Sequence, residues 1–209
     1  AASCGAPASG DSPPAVRAEE GQFTVQELGT FDEPWAMAQL ADGALLVTEK
    51  KGRLLLWQKD KPVVEVAGVP QVAYGGQGGL GDVIVHPSGK AIYLSWAEAG
   101  EGETRGAVVA RAELVRGAAP SLANLEVIWR QTPKVTGRGH YSHRMAISPD
   151  GKSLFIAAGD RQKMQPAQDP ASDLGKVIRL PIDAAGKPAD AAEHYSLGHR
   201  NILGLQFAR

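Results

Sequence analysis

This sequence of 209 residues has little of several residue types, and each shortage excludes something. Its one cysteine, Cys4, leaves no partner for an internal disulfide and cannot supply a multi-cysteine metal site. The 22 basic and 23 acidic residues give a net charge of −1, so the charge balance argues against a nucleic-acid or anionic-membrane partner. Helical spacing of apolar residues is scarce, whereas 25 glycines and 14 prolines are present, which predicts a turn-rich all-β protein.

The N-terminal stretch differs in composition from the rest of the chain. Small residues precede Cys4, and the sequence then stays small and proline-rich as far as Pro14. Small residues, a cysteine and a flexible tether resemble the lipidation site of an exported bacterial lipoprotein. We therefore predict a tether over residues 1–21, with Cys4 as a lipidation candidate, and a location in the periplasm or on the outer membrane. A remnant of a plain secretory signal is the alternative, and it also predicts export.

The remainder of the chain repeats one pattern of short apolar runs and polar turns. After a lone strand predicted at Phe23–Leu28, three copies of about four strands follow, with turn glycines Gly43, Gly89 and Gly151. Self-similar antiparallel sheets at this spacing predict a β-propeller. A fourth copy begins at Gly204–Phe207, so residues 22–209 are expected to form about three and a half blades, the N-terminal part of a single propeller domain whose other blades are missing here.

The stretch from Gly137 to Asp160 carries the clearest candidate for chemistry. It predicts a hairpin with His140 at one end, Asp160 at the other and a Pro-Asp-Gly turn between them. The two ends of a hairpin return to one edge, so a histidine base and the carboxylate that orients it are expected side by side. The alternative is that both are solvated loop residues.

With these motifs in view, the chain resembles the soluble quinoprotein aldose sugar dehydrogenases, a family of six-bladed propellers that bind pyrroloquinoline quinone (PQQ) and calcium. The matching segments include Pro34-Trp35-Ala36-Met37-Ala38, Gly76-Gln77-Gly78-Gly79-Leu80, Gly139-His140, Gly159-Asp160, Leu174-Gly175-Lys176-Val177-Ile178-Arg179-Leu180 and Leu197-Gly198-His199-Arg200-Asn201. They occur in the family's order from Pro34 to Phe207.

The resemblance implies a role for each matching residue. His140 matches the base that takes the proton of the anomeric hydroxyl, Asp160 the carboxylate that orients it, and Arg200 the cation that faces the quinone oxygen and binds the cofactor. Asn201 matches a second cofactor-binding residue, and Gln77 a residue of the sugar pocket. The family's calcium ligands and the basic residues that hold the quinone's carboxylates match nothing in this chain, so no metal ligand is expected within it.

The implied function is oxidation of the C1 hydroxyl of an aldose to a lactone, with electrons passed to a respiratory or artificial acceptor. The 209-residue chain is expected to be incomplete and inactive alone. One departure from the family is His143, which stands where a small residue is usual and predicts either a narrower pocket beside the base or a different substrate. Two alternatives stay open: a non-enzymatic propeller that binds a sugar or a protein, and a metal-dependent lactonase.

Overall fold

The computed structural model describes residues 25–208, and the compact unit that holds the sheets begins at Phe31. The first sheet contains β1 (Pro34–Gln39), β2 (Leu45–Glu49), β3 (Arg53–Trp57) and β4 (Val64–Glu65). The second contains β5 (Leu80–Val85), β6 (Ile92–Ala99), β7 (Thr104–Val115), β8 (Ser121–Arg130) and the short β9 (Val135–Thr136). The third contains β10 (Ser142–Ile147), β11 (Ser153–Ala158), β12 (Lys176–Pro181) and β13 (Glu193–Leu197).

Each sheet is an antiparallel meander in which strands pair in chain order, except that β9 pairs with β7 in the second sheet. The turns that join the strands follow the sequence closely. Between β10 and β11, for example, the Gly151 N–H donates to the Ser148 carbonyl at 2.8 Å, and Gly151 has φ +71°, a conformation that glycine adopts without a steric penalty. Along residues 25–208 the helical structure is a single 3-10 turn, Gln165–Gln168, and no helix there is long and apolar enough to cross a membrane.

The three sheets are arranged as blades around their first strands. β5 lies beside β1 on one side and beside β10 on the other, so each blade presents its first strand to the same central groove. The fold is therefore that of a β-propeller, as the sequence predicted.

Two hydrophobic cores lie between neighbouring blades. The first joins blade one to blade two, and Trp96 is 2% exposed within it. The second joins blade two to blade three and contains Trp129. Both tryptophans therefore pack between blades, where burial of apolar surface contributes most of the stability.

Polar side chains also connect the inner strands. The buried Thr48 hydroxyl donates to the Gly81 carbonyl at 2.7 Å and accepts from the Ala36 N–H at 3.0 Å. The buried Asp82 carboxylate accepts the Met145 N–H at 2.8 Å, which links blade two to blade three. These bonds satisfy backbone groups that the sheets leave unpaired at the centre.

Three details differ from the sequence prediction. The short strand β9, which pairs with β7, was not predicted. Residues 25–28 of the predicted strand Phe23–Leu28 belong to no strand and are exposed, since an apolar pattern stabilises a strand only where one face is buried; residues 23–24 lie outside the described range. Gly204–Phe207 also forms no strand, because these residues have no strand to pair with among residues 25–208.

Candidate active site

The hairpin of β10 and β11 places His140 against Asp160. Ser142 pairs with Ala158, so the residues just outside the ladder meet, and His140 Nδ1 lies 2.7 Å from Asp160 Oδ1. The Asp160 side chain is fully buried, whereas the His140 side chain is 16% exposed. A buried carboxylate at Nδ1 selects the tautomer that carries its proton on Nδ1, and this leaves Nε2 as the acceptor. The juxtaposition predicted from the sequence is confirmed.

Backbone groups hold the Asp160 carboxylate in place. Asp160 Oδ1 accepts the Gln162 N–H at 2.9 Å, and the Asp160 N–H donates to the Arg200 carbonyl at 2.8 Å. Asp160 Oδ2 has no hydrogen-bond partner in the described part of the chain, and Arg200 Nε lies 3.9 Å away. The Arg200 side chain is 67% exposed, so its guanidinium is available to a ligand beside the histidine.

Gln77 reaches the same place from blade two. The side-chain oxygen of Gln77 accepts the His140 backbone N–H at 2.7 Å. The backbone N–H of Gln77 donates to the Arg138 carbonyl, also at 2.7 Å. The glycines around Gln77 are required by this close approach, because a Cβ on Gly76 would lie 2.6 Å from the Arg138 carbonyl oxygen. The Gly76-Gln77-Gly78 loop therefore packs closely enough against Arg138 to place the Gln77 side-chain amide beside His140.

Asn201 and Gln77 line one pocket of about 280 Å³. The Asn201 side-chain oxygen accepts the Ser142 N–H at 3.2 Å, and the Ser142 hydroxyl accepts the Ile202 N–H at 2.8 Å. These bonds dock the segment after Arg200 onto β10. Neither side-chain amide nitrogen, of Gln77 or of Asn201, donates to another residue within 25–208, so both remain available to a ligand.

His143 lines the same pocket but is 2% exposed. Its ring stacks on Tyr141, with centroids 5.4 Å apart, and meets the edge of Trp35 at 5.8 Å. Neither ring nitrogen has a hydrogen-bond partner in the described structure. Burial, aided by the charge of Arg161, lowers the pKa of His143 to about 3, so the ring is neutral. His143 is therefore a buried wall of the pocket rather than a second base.

The other three histidines each contact a different partner, and His86 Nδ1 lies 2.8 Å from the Ser88 hydroxyl. His194 Nε2 lies 2.8 Å from Asp173, and His199 Nε2 lies 2.7 Å from the Ser196 hydroxyl. No group of three or more His, Cys, Asp or Glu side chains among residues 25–208 could hold a metal ion. Cys4, the lipidation candidate, lies outside the described residues.

Two buried cations near the site were missed from the sequence. Arg161 and Lys176 are 1% and 0% exposed, and the ammonium of Lys176 donates to the carbonyls of Pro166, Ala167 and Leu174 at 2.8–3.0 Å. Burial lowers the pKa of each group. In the sequence these two residues are indistinguishable from solvent-exposed cations, because no local pattern indicates that backbone carbonyls will surround them.

The fold and this site define a class: a β-propeller with a histidine–carboxylate pair and an exposed arginine at one edge of the blades. The glucose/sorbosone dehydrogenase family model matches residues 31–209, and the chain belongs to this family. It is 34% identical over 190 residues to the aldose sugar dehydrogenase YliI of Escherichia coli K12, which covers 84% of this chain and 50% of that protein.

Solved structures agree with this assignment. The soluble aldose sugar dehydrogenase from Escherichia coli, in its apo-form, matches with a TM-score of 0.72 and 33% identity over 81% of this chain and 52% of that one. The PQQ-bound form of an aldose sugar dehydrogenase from Streptomyces coelicolor matches with a TM-score of 0.69 and 26% identity over 82% and 52%. The chain spans about half the length of the curated relatives it matches.

Proposed function

We propose that the complete protein is a PQQ-dependent aldose dehydrogenase that oxidises the C1 hydroxyl of a sugar to the lactone. The observation that carries this proposal is the 2.7 Å contact between His140 and the buried Asp160, with Arg200 at its edge. Family membership and the relatives' names support the same activity.

His140 acts as the general base in this proposal. Its Nε2 accepts the proton of the C1 hydroxyl, while Nδ1–H stays bonded to Asp160. The carboxylate keeps the ring oriented and stabilises the imidazolium that forms, without taking the proton itself. The amide oxygen of Gln77 holds the His140 backbone, and the free amide nitrogen of Gln77 is available to bind a sugar hydroxyl.

The side chains beside His140 fit an oxygen-rich, anionic cofactor. Arg200 offers an exposed guanidinium, and Asn201 offers an amide N–H₂ with no partner in the described chain. A cation and an amide donor are groups that stabilise negative charge on a quinone oxygen. PQQ, when bound, supplies the two-electron oxidation. Calcium belongs to the same proposal through the family resemblance, with ligands outside this chain.

Replacing His140 by alanine in the complete protein tests the proposal. General-base catalysis contributes about 10²–10⁴-fold, so turnover in a dye-linked sugar assay with added PQQ and calcium should fall by that much. His194→Ala is the matched control, because it also removes a histidine bonded to an aspartate, at 2.8 Å, outside the site. Full activity of His140→Ala, in a protein whose circular dichroism is unchanged, would reject His140 as the base.

We also propose that the protein is exported and tethered to the outer membrane through Cys4. The supporting observation is the small residues before Cys4 and the proline-rich stretch after it. The full-length precursor, expressed in a bacterial host, should appear in the membrane fraction, and its Cys4→Ser variant in the soluble periplasmic fraction. Identical distribution of the two proteins would contradict the lipid anchor.

A further inference from the structure

The guanidinium of Arg161 donates to three backbone carbonyls in the described structure. Arg161 Nε donates to the Gly139 carbonyl at 2.9 Å and Nη2 donates to the Gly137 carbonyl at 2.6 Å. Nη1 donates to the carbonyl of Arg105, on β7 of blade two. The face of the guanidinium lies over the Tyr141 ring, 3.7 Å from its centroid. A single side chain therefore ties together two blades and the loop that precedes His140.

This loop and the turn after Asp160 both have backbone conformations that require support. His140 has φ +51°, Arg161 φ +54° and Gln162 φ +62°, values in the left-handed region that non-glycine residues rarely adopt. Strained residues of this kind persist only where the surroundings over-determine them. Here the Arg161 side chain donates to the Gly139 carbonyl of the loop, and the Arg161 backbone N–H donates to the His140 carbonyl at 3.2 Å.

A buried cation without a carboxylate partner is costly to keep for stability alone. Within residues 25–208 Arg161 makes no ion pair, and burial opposes its charge. An apolar side chain of similar length could fill the space beside Tyr141, but it would leave three backbone carbonyls without the hydrogen bonds that Arg161 donates. The planar fork of arginine carries its donors on three separate nitrogens and so reaches carbonyls that lie apart, on two blades, whereas the three donors of a lysine ammonium share one nitrogen.

We infer that Arg161 is a positioning residue that holds the His140 ring at hydrogen-bond distance from Asp160. The inference rests on the proposed function for its catalytic meaning, although the geometry it concerns is independent of any reaction. Arg161 follows Asp160 directly in the chain, and its side chain donates to the carbonyl of Gly139, the residue that directly precedes His140. It thereby sets the distance between the two members of the pair.

The test is a proton NMR measurement on the full-length protein without substrate or cofactor. An imidazole N–H bonded to a buried carboxylate gives a signal downfield of the amide region, which is assigned by its loss in Asp160→Asn. We expect this signal to disappear in Arg161→Met and to weaken in Arg161→Lys. Lys176→Met is the control, because it also removes a buried cation bonded to carbonyls but leaves the His140 loop untouched, and it should retain the signal.

Kinetics of the complete, cofactor-loaded enzyme supply the second readout. A displacement of about 1 Å at a catalytic group costs on the order of 10²-fold, so kcat of Arg161→Met should fall by that factor with KM little changed. Guanidinium ions added to a smaller variant, Arg161→Ala, should restore part of both the signal and kcat. A general loss of fold would instead reduce the amount of active protein and would not respond to guanidinium.

The outcomes separate this inference from the proposed function. If Arg161→Met keeps both the downfield signal and native kcat, the positioning role is wrong, even when His140→Ala is inactive. If the signal is lost in Arg161→Met while His140→Ala remains active, Arg161 positions the ring but His140 is not the base. If Arg161→Met fails to fold, Arg161→Lys decides by the same two measurements.

Discussion

Acidification should destabilise this protein through His143. The ring is packed between Tyr141 and Trp35 and is 2% exposed, and burial lowers its pKa to about 3 in the folded state. In the unfolded chain the same imidazole has its ordinary pKa of about 6.5. Because the folded pKa is the lower one, the unfolded state binds the proton first as the pH falls.

The size of the effect follows from proton linkage. Stability that is fully present above about pH 6.5 is lost as the pH falls toward 3, at about 1.4 kcal/mol per pH unit. Between pH 7 and pH 5, His143 should therefore lower the free energy of unfolding by about 2 kcal/mol, a large share of a typical domain's 5–15 kcal/mol. The buried His86, whose pKa is also lowered by burial, adds to the slope in the same direction.

The assay is urea unfolding at pH 7 and pH 5 for the native protein and for His143→Phe. Phenylalanine keeps an aromatic ring between Tyr141 and Trp35 and removes two buried nitrogens that have no partner in the described structure, so the variant should be at least as stable at pH 7. It should also lose about 2 kcal/mol less than the native protein at pH 5. Trp35→Phe is the control, since it alters the same cluster without removing a titratable group. Equal pH dependence of native and His143→Phe proteins would refute the buried, neutral state of His143.

Two further predictions concern stability. Thr48→Val should lower the free energy of unfolding by about 1–3 kcal/mol, because the buried Gly81 carbonyl and Ala36 N–H lose their partner. Thr48→Ser keeps a hydroxyl and should lose less stability. Equal urea midpoints for the two variants would disprove the bonding role of the Thr48 hydroxyl. Leu154→Ala should cost about 2–5 kcal/mol, since the side chain is 0% exposed in the core between blades two and three. Met37→Ala is the control, because the Met37 side chain is 65% exposed and its loss should change the urea midpoint little. An equal loss of stability in Leu154→Ala and Met37→Ala would contradict the assigned cores.

Much of the fold could be predicted because its determinants are local. The hairpin of β10 and β11 has an apolar run on each side of a Pro-Asp-Gly turn, and Gly151 has the positive φ that this turn needs. The same local logic placed His140 and Asp160 together, 20 residues apart in the chain. The roles of Arg200 and Asn201 came from family resemblance, since neither spacing nor composition distinguishes them from loop residues.

The errors arose where a segment depends on a partner that local sequence does not show. The apolar pattern at Gly204–Phe207 resembles the start of a blade, but a strand exists only when its N–H and C=O groups pair with a neighbour. That His143 narrows the pocket stays a prediction. Its stacking on Tyr141 could not be predicted from the pattern, because Tyr141 precedes β10 and His143 lies in the register shift between Ser142 and Met145.

The sequence by itself determined the strands, the turns and the order of the three blades, because alternating burial and turn chemistry act over a few neighbouring residues. Only the tertiary structure decided which polar groups meet across blades. Gln77 bonds to His140 across 63 residues, and Arg161 grips the Arg105 carbonyl across 56. Whether a cation is solvated or enclosed by carbonyls depends on chain segments that packing brings together, and packing is a property of the whole fold.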